Sequence, residues 1–157
     1  MINQDIDRQL NRITDLLLKA NELFLPEDEM RSEIVKYTCV LCSGFLENSM
    51  SILFSTFITS KISNQPVISY AQKCLNKIQN PKAAKILEIV GYFNFEWQSE
   101  LREFINNEER GSSINYIITE RHRIAHGDNS EITINRLQLH FTKAVEVVAF
   151  IEEKLQI

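Results

Sequence analysis

The sequence has 157 residues, 44% hydrophobic and 24% charged, a composition that predicts one folded domain over residues 1–157 and excludes a disordered chain. Its four glycines and three prolines are too few for the tight turns of an all-β fold, and its three cysteines cannot form an even disulfide framework. The formal net charge of −4 excludes a protein that coats nucleic acid through its overall charge, but allows a local basic site.

The amino-terminal segment, residues 1–5, has no basic region followed by an apolar core, which predicts that no signal peptide is present. The most apolar stretch, residues 34–58, is interrupted by Lys36 and Glu47. It therefore lacks the run of about 18 apolar residues that a membrane-spanning helix requires. We expect a reduced, cytoplasmic protein that does not insert into a membrane.

Apolar residues recur at steps of three and four along almost the whole chain, which predicts an all-α fold. The first helix is expected at residues 6–24, before Pro26, and the second at residues 34–62, before Pro66. The second helix is the longest and is expected at the centre of the bundle. Its apolar stripe consists of Ile34, Tyr37, Leu41, Phe45 and Ile52, with a second row beside it, Thr38, Cys42, Leu46, Ser49 and Leu53. Shorter helices are expected at residues 67–78, 82–92 and 96–105.

A polar connector, residues 106–113, precedes the next predicted helix, residues 114–126. Ser112 or Ser113 is the expected cap at its start, and Gly127 suits the left-handed position that commonly follows a helix. A loop at residues 128–133 leads to the closing helix, whose apolar positions run from Leu137 to Leu155. Only residues 131–134 alternate like a strand, and that segment is too short to build a sheet.

Basic and titratable side chains are concentrated between residues 110 and 143. This segment contains all three histidines and has a net charge of +2, so the rest of the chain carries −6. Such a basic segment in an acidic protein is typical of a local anion site that holds phosphate groups. We therefore predict that Arg110, Arg123 and Arg136 bind the substrate.

Arg121, His122 and His126 are the residue types needed to cleave RNA without a metal. The RNA 2′-OH can attack the adjacent phosphate if a group that titrates near neutral pH moves the proton, and histidine does this. A guanidinium stabilises the charge that builds on the phosphorane. Because Arg121 and His126 lie about 140° apart on a helix, one copy offers an incomplete site. Two facing copies would place two histidines and two arginines around one phosphate, which predicts a homodimer.

The segment at residues 117–127 resembles the signature of the HEPN superfamily, because Arg121, His122 and His126 match its Arg-x4-His motif. The ending at residues 124–127 is most similar to the RiboL-PSP and MAE-type subgroups. The resemblance implies a HEPN-like helical bundle with a long central helix, whose motif helices pair across a dimer. It also implies a metal-independent endoribonuclease without cofactors, acting on RNA in a bacterial toxin–antitoxin, anti-phage or stress system. An antitoxin or a defence-complex component is then a possible partner.

In that interpretation His126 is the general base or acid, and Arg121 stabilises the phosphorane. His122 is either the group that orients the reactants or the second titrating group. The alternative is a catalytically inactive HEPN-like module that serves dimerisation or interaction. Arg121 would then be a structural arginine that bonds helix ends, and His126 a cation at a helix carboxyl end, where the helix dipole favours it. Glu47 is either a supporting residue that pairs with Arg121 or part of an exposed turn.

Two further patterns indicate chemistry less strongly. Cys39 and Cys42 have the Cys-x-x-Cys spacing of redox and zinc sites, but no strand precedes them and only Cys74 remains to complete a metal site. We interpret both as small core residues. His122 and His126 also have the spacing of a helical metal pair, which Asp128 or His140 would have to complete; we predict no metal here. Tyr116 lies on the same helix and can stack on a base, but core packing is the commoner use of such a residue.

Overall fold

The structure, a computed structural model, describes residues 3–156 and shows seven helices and no strand in that range. The helices are α1 (Gln4–Leu23), α2 (Glu29–Lys61), α3 (Gln65–Leu75), α4 (Ala83–Phe93), α5 (Phe95–Asn106), α6 (Arg110–His126) and α7 (Ile134–Leu155). The all-α prediction is confirmed. Residues 1, 2 and 157 are outside the described range, so the sequence-based statement on residues 1–5 falls partly outside it.

Helix α2 is the centre of the bundle, and α1, α3, α6 and α7 all pack against it. Because helices contact it on several sides, its buried surface is wider than the predicted stripe. Val35, Leu46 and Met50 are almost fully buried, whereas Tyr37 of the predicted stripe is 49% exposed. By length and composition α2 is also the one helix within residues 3–156 that could cross a membrane, but half of its most apolar stretch is buried inside the bundle. Such burial is typical of the core helix of a globular domain.

Asn and Asp side chains cap the starts of several helices. The Oδ1 atoms of Asn3, Asp28 and Asn94 each accept hydrogen bonds from the first backbone amides of α1, α2 and α5. These amides have no partner within the helix, so a side-chain acceptor stabilises the start. The predicted starts differ from the observed ones by one to five residues for the first five helices.

The start of α6 was predicted wrongly. The helix begins at Arg110 instead of residue 114, and neither Ser112 nor Ser113 caps it. Glu109, in the left-handed conformation (φ 59°), precedes it without a side-chain cap. Gly111 permits this early start because a Cβ there would lie 2.6 Å from Cγ2 of Ile105 on α5. The two helices can therefore approach closely at the first turn of α6.

Cys39 and Cys42 are fully buried core residues, as predicted. Burial disfavours the thiolate and raises the pKa of the Cys39 thiol to about 12, with a smaller contribution from the negative charge of Glu120. Burial likewise raises the pKa of Cys42 well above its ordinary value. Since the thiolate is the reactive form, neither side chain suits redox chemistry.

Candidate functional site

The carboxyl end of α6 is closed by a turn that Gly127 makes possible. Gly127 has φ 74° and ψ 14°, the left-handed conformation predicted from the sequence. Its amide donates to the carbonyl of Ile124, and the amide of Asp128 donates to the carbonyl of Arg123. These two hydrogen bonds form a Schellman motif, which satisfies the last carbonyls of the helix. The turn therefore fixes the last residue of α6, His126, at the edge of the molecule.

We expect Gly127→Ala to destabilise the protein by about 1–2 kcal/mol, because a side chain in the left-handed region is strained. A Cβ there would meet no atom within 4 Å, so the cost is conformational rather than steric. Gly44→Ala is the matched control, since Gly44 lies inside α2 and its Cβ would also meet nothing within 4 Å. That change is expected to stabilise by up to about 1 kcal/mol through helix propensity. Urea unfolding monitored by circular dichroism measures both, and equal effects of the two would contradict the strain argument.

His122 and His126 are exposed and lie side by side on the solvent face of α6. Their ring centroids are 4.3 Å apart and the rings meet edge to face at 61°. The spacing of four residues brings them together, as predicted for one helix face. Within residues 3–156 no group of three or more His, Cys, Asp or Glu side chains is placed to hold a metal ion.

Arg121 is half-buried on the side of α6 that faces the bundle. Helical geometry puts it about 140° around the axis from His126, so the two side chains do not share a face of one chain. No hydrogen bond, ion pair or ring contact joins Arg121 to another residue of the described range. A structural arginine would bond to helix carbonyls or carboxylates, and Arg121 does neither.

A polar cleft of about 510 Å³ opens between α6, the loop after it and the first turn of α7. It is lined by Asn115, Tyr116, Thr119, Glu120, Arg123, Asn129, Glu131 and Arg136. His122 and His126 follow Thr119 and Arg123 by three residues each, so they lie one helical turn from the cleft wall. Two of the predicted substrate-binding arginines, Arg123 and Arg136, therefore line a cleft whose α6 wall lies one helical turn from both histidines.

Glu120 organises one wall of this cleft although its side chain is buried. Nη1 of Arg123 donates a 2.9 Å hydrogen bond to Oε1 of Glu120, and Oγ of Ser130 donates a 2.7 Å bond to Oε2. Both carboxylate oxygens are thus satisfied, as a buried charge requires. The bond to Arg123, whose side chain is 54% exposed, holds that side chain beside the cleft. The bond from Ser130 connects the loop after α6 to the helix.

Tyr116, one turn before Glu120 on α6, is the centre of a second cluster that connects α6 with α7 at the cleft. The guanidinium carbon of Arg136 lies 5.1 Å from the centre of the Tyr116 ring, and the His140 ring centroid lies 4.1 Å from it. Nδ1 of His140 is joined to Oγ of Ser113 by a 3.0 Å hydrogen bond. Burial lowers the pKa of His140, and the nearby positive charge of Arg136 lowers it further, which favours the neutral imidazole.

The family model described as RiboL-PSP-HEPN matches residues 3–156. The chain belongs to the RiboL-PSP-HEPN family. Comparisons with curated proteins and with solved structures found no match. The superfamily predicted from the sequence is thereby confirmed, and HEPN domains are often ribonucleases. The match concerns the chain as a whole and does not single out Arg121, His122 or His126.

The predicted role of Arg110 in this HEPN domain needs correction. Its Nε donates to Glu146 at 2.7 Å, its Nη2 donates to Glu108 at 2.9 Å, and its guanidinium lies 4.0 Å from the Phe104 ring centre. Arg110 is also buried and begins α6, about 24 Å along the helix from His126. It therefore anchors the start of α6 and does not reach the cleft.

The predicted support of Arg121 by Glu47 also needs correction. Oε1 of Glu47 accepts a 2.6 Å hydrogen bond from the backbone amide of Asn80, in the segment between α3 and α4. Asn80 has a positive φ of 46°, so this contact fixes a turn. Glu47 is half-buried at that turn and makes no ion pair with Arg121.

From the sequence, Tyr116 was considered without an assigned role and Glu120 was expected only as an acid near the paired arginines of a dimer, whereas Ser130 and Glu131 were not predicted. Tyr116 and Glu120 resemble ordinary core and surface positions in the helical pattern. Ser130 and Glu131 belong to a short loop with no motif of its own. Only the packing of α6 against α7 brings the four together. The one usable signal was the excess of positive charge across the whole segment.

Proposed function

We propose that this HEPN domain is a metal-independent endoribonuclease that cleaves single-stranded RNA. The observation that supports this most is the exposed pair His122 and His126 beside a cleft lined by Arg123 and Arg136. Two imidazoles next to two guanidinium groups provide proton transfer and phosphate binding in one place. Arg121, with no partner in the described range, is the further cation available to the reaction.

In the proposed reaction His126 removes the proton of the RNA 2′-OH or protonates the leaving oxygen, and His122 orients or serves as the second titrating group. The 2′ oxygen bonds to phosphorus while the bond from phosphorus to the 5′ oxygen breaks. The products are a 2′,3′-cyclic phosphate and a free 5′-OH. Arg121 stabilises the additional negative charge on the phosphorane oxygens. Histidine suits both proton transfers because its ordinary pKa lies near neutral pH.

The proposed active unit is a homodimer in which the two α6 helices face each other. A two-fold axis would bring both copies of Arg121 and His126 within reach of one phosphate, roughly 10 Å or less apart. This arrangement overcomes the separation of the two side chains around one helix. It also brings arginines near their symmetry mates, a repulsion that a bound phosphate offsets. Two acids can reduce the same repulsion in the empty dimer: Glu120, which already pairs with Arg123, and Asp128, which follows α6 directly.

We place this activity in the cytoplasm, in a toxin–antitoxin, anti-phage or stress system. Free cleavage of cellular RNA would require control, so an antitoxin or a defence-complex component is the proposed partner. This assignment rests on the family to which the chain belongs and on the proposed nuclease activity.

The test is cleavage of a labelled single-stranded RNA by the purified protein with and without EDTA. We expect equal cleavage in both, with products that end in a 2′,3′-cyclic phosphate, because the proposed groups are all side chains. Products that end in a 3′-OH, or loss of cleavage in EDTA with recovery on adding a divalent cation, would overturn the metal-free mechanism.

A second candidate is an inactive HEPN-like interaction module. The position of Arg121, half-buried and on a different side of α6 from His126, favours it, as does the net charge of −4. A chain that dimerises but leaves every RNA tested intact, with or without divalent cations, would support this second function.

A further inference from the structure

The cleft between α6 and α7 has the size and lining of a nucleotide site. Its volume of about 510 Å³ lies within the range of pockets that hold small ligands. We propose that it binds one guanine nucleotide of the RNA, next to the phosphate that is cleaved. This inference deepens the proposed function and rests on it for its place in the reaction. It assigns a substrate preference to residues outside Arg121, His122 and His126.

Two arginines supply the phosphate contacts. Arg123 comes from α6 and Arg136 from the first turn of α7, so the guanidinium groups approach the cleft from different elements. Glu120 holds Arg123 through a 2.9 Å hydrogen bond from one terminal nitrogen, Nη1. Arg136 lies over the Tyr116 ring, which positions its side chain. Guanidinium groups have five donors each and bind phosphate oxygens in pairs, so both arginines have donors left for a nucleotide.

Glu131 supplies the contact that selects the base. It lines the cleft, is exposed, and makes no hydrogen bond or ion pair with another residue of the described range. An ionised carboxylate has two acceptor oxygens and no donor. On its Watson–Crick edge guanine offers two adjacent donors, N1–H and N2–H. Adenine and cytosine place an acceptor beside their donor, and uracil places its donor between two acceptors. Glu131 therefore matches guanine in a bidentate manner and the other three bases only in part.

Asn115 adds an oriented donor to the same cleft. Its Oδ1 already accepts a 3.0 Å hydrogen bond from the backbone amide of Ala83 at the start of α4. Its remaining polar group is therefore Nδ2, a donor that matches the O6 and N7 acceptors of guanine. With Glu131 as acceptor for N1–H and N2–H and Asn115 as donor to O6 and N7, the cleft offers a partner for each polar group on these edges of guanine.

The cleft also lies in the right place for a nucleotide next to the reacting phosphate. Thr119 and Arg123 form its α6 wall, and His122 and His126 stand three residues further along the helix. A strand that leaves the cleft toward the carboxyl end of α6 therefore passes the two exposed histidines. Cleavage is then expected mainly beside guanine.

The experiment measures binding of the four nucleoside 5′-monophosphates to the full chain, by titration of backbone amide NMR signals. We expect the guanine nucleotide to bind about tenfold more tightly than the other three, the effect of one bidentate contact. Glu131→Gln should abolish this preference, because an amide offers one donor and one acceptor. Glu153→Gln is the matched control, since Glu153 is an exposed carboxylate about 30 Å away at the far end of α7.

A second pair of variants tests the phosphate contacts. Arg136→Ala should weaken binding of all four nucleotides by a similar factor, whereas Arg102→Ala, at an exposed arginine of α5, should change nothing. Equal binding of the four bases, or a guanine preference that survives Glu131→Gln, would overturn the inference. Because binding is measured without RNA cleavage, the two proposals fail separately. A chain that prefers guanine but cuts no RNA loses only the nuclease function, and one that cuts RNA without preference loses only the guanine site.

Discussion

His126→Ala should lower the rate of RNA cleavage by about 10²–10⁴-fold, the contribution typical of a positioned general acid or base. Arg121→Ala should lower it by about 10²–10³-fold, because the charge on the phosphorane would lose its guanidinium partner. Single-turnover cleavage of a labelled RNA measures both rates. His126 is exposed and Arg121 is half-buried, and neither belongs to the buried core, so we expect both variants to remain folded.

The control for Arg121→Ala is Arg102→Ala, which removes an exposed arginine from α5 and leaves α6 untouched. Circular dichroism should show the same helical content in all three variants and in the parent chain. Cleavage by His126→Ala at the parent rate would remove His126 from the mechanism and leave His122 as the titrating group to test.

Mixing the two inactive variants should restore cleavage if the active unit is the proposed dimer. After unfolding and refolding together, about half of the dimers would combine an Arg121→Ala chain with a His126→Ala chain. Such a mixed dimer retains one arginine and one histidine, contributed by different copies. Since neither variant is active alone, the recovered rate reports a site shared between two chains.

The matching control mixes His126→Ala with a chain that carries both substitutions, because those mixed dimers contain no intact His126. Sedimentation at micromolar concentration gives the oligomeric state of each mixture. A monomeric chain, or a dimer that shows no recovery on mixing, would contradict the shared site and place catalysis within one copy.

The approximate positions of most helices could be predicted because they depend on residues that are close together in the sequence. Apolar residues recur with the helical period, and Pro26 follows the end of α1 while Pro66 occupies the first turn of α3. Asn or Asp side chains accept from the first amides of several helices. The start of α6 was not predictable by these rules, because long-range contacts decide it. Arg110 is held by Glu146, 36 residues later on α7, and no local pattern announces that pair.

The candidate site likewise has a part that local spacing predicts and a part that depends on long-range packing. His122 and His126 were found because four residues separate neighbours on one helix face, and their rings do meet. The assignment of Glu47 failed because a half-buried glutamate can serve any nearby donor, and the nearest one is a turn amide. Glu131 could not be found at all, since its meaning depends on the cleft that α6 and α7 form together.

The unequal burial of the three thiols makes the molecule convenient for spectroscopy. Cys39 and Cys42 are sealed in the core, whereas Cys74 on α3 is open to solvent. A maleimide label would therefore attach at one defined position of the native chain without engineering. Because α3 packs on α2 and lies apart from α6 in the bundle, that label would not touch the surface of α6 that carries His122 and His126. If the maleimide carries a spin label, electron spin resonance would then measure the distance between the two Cys74 positions of a dimer. That distance would constrain how the two copies are oriented.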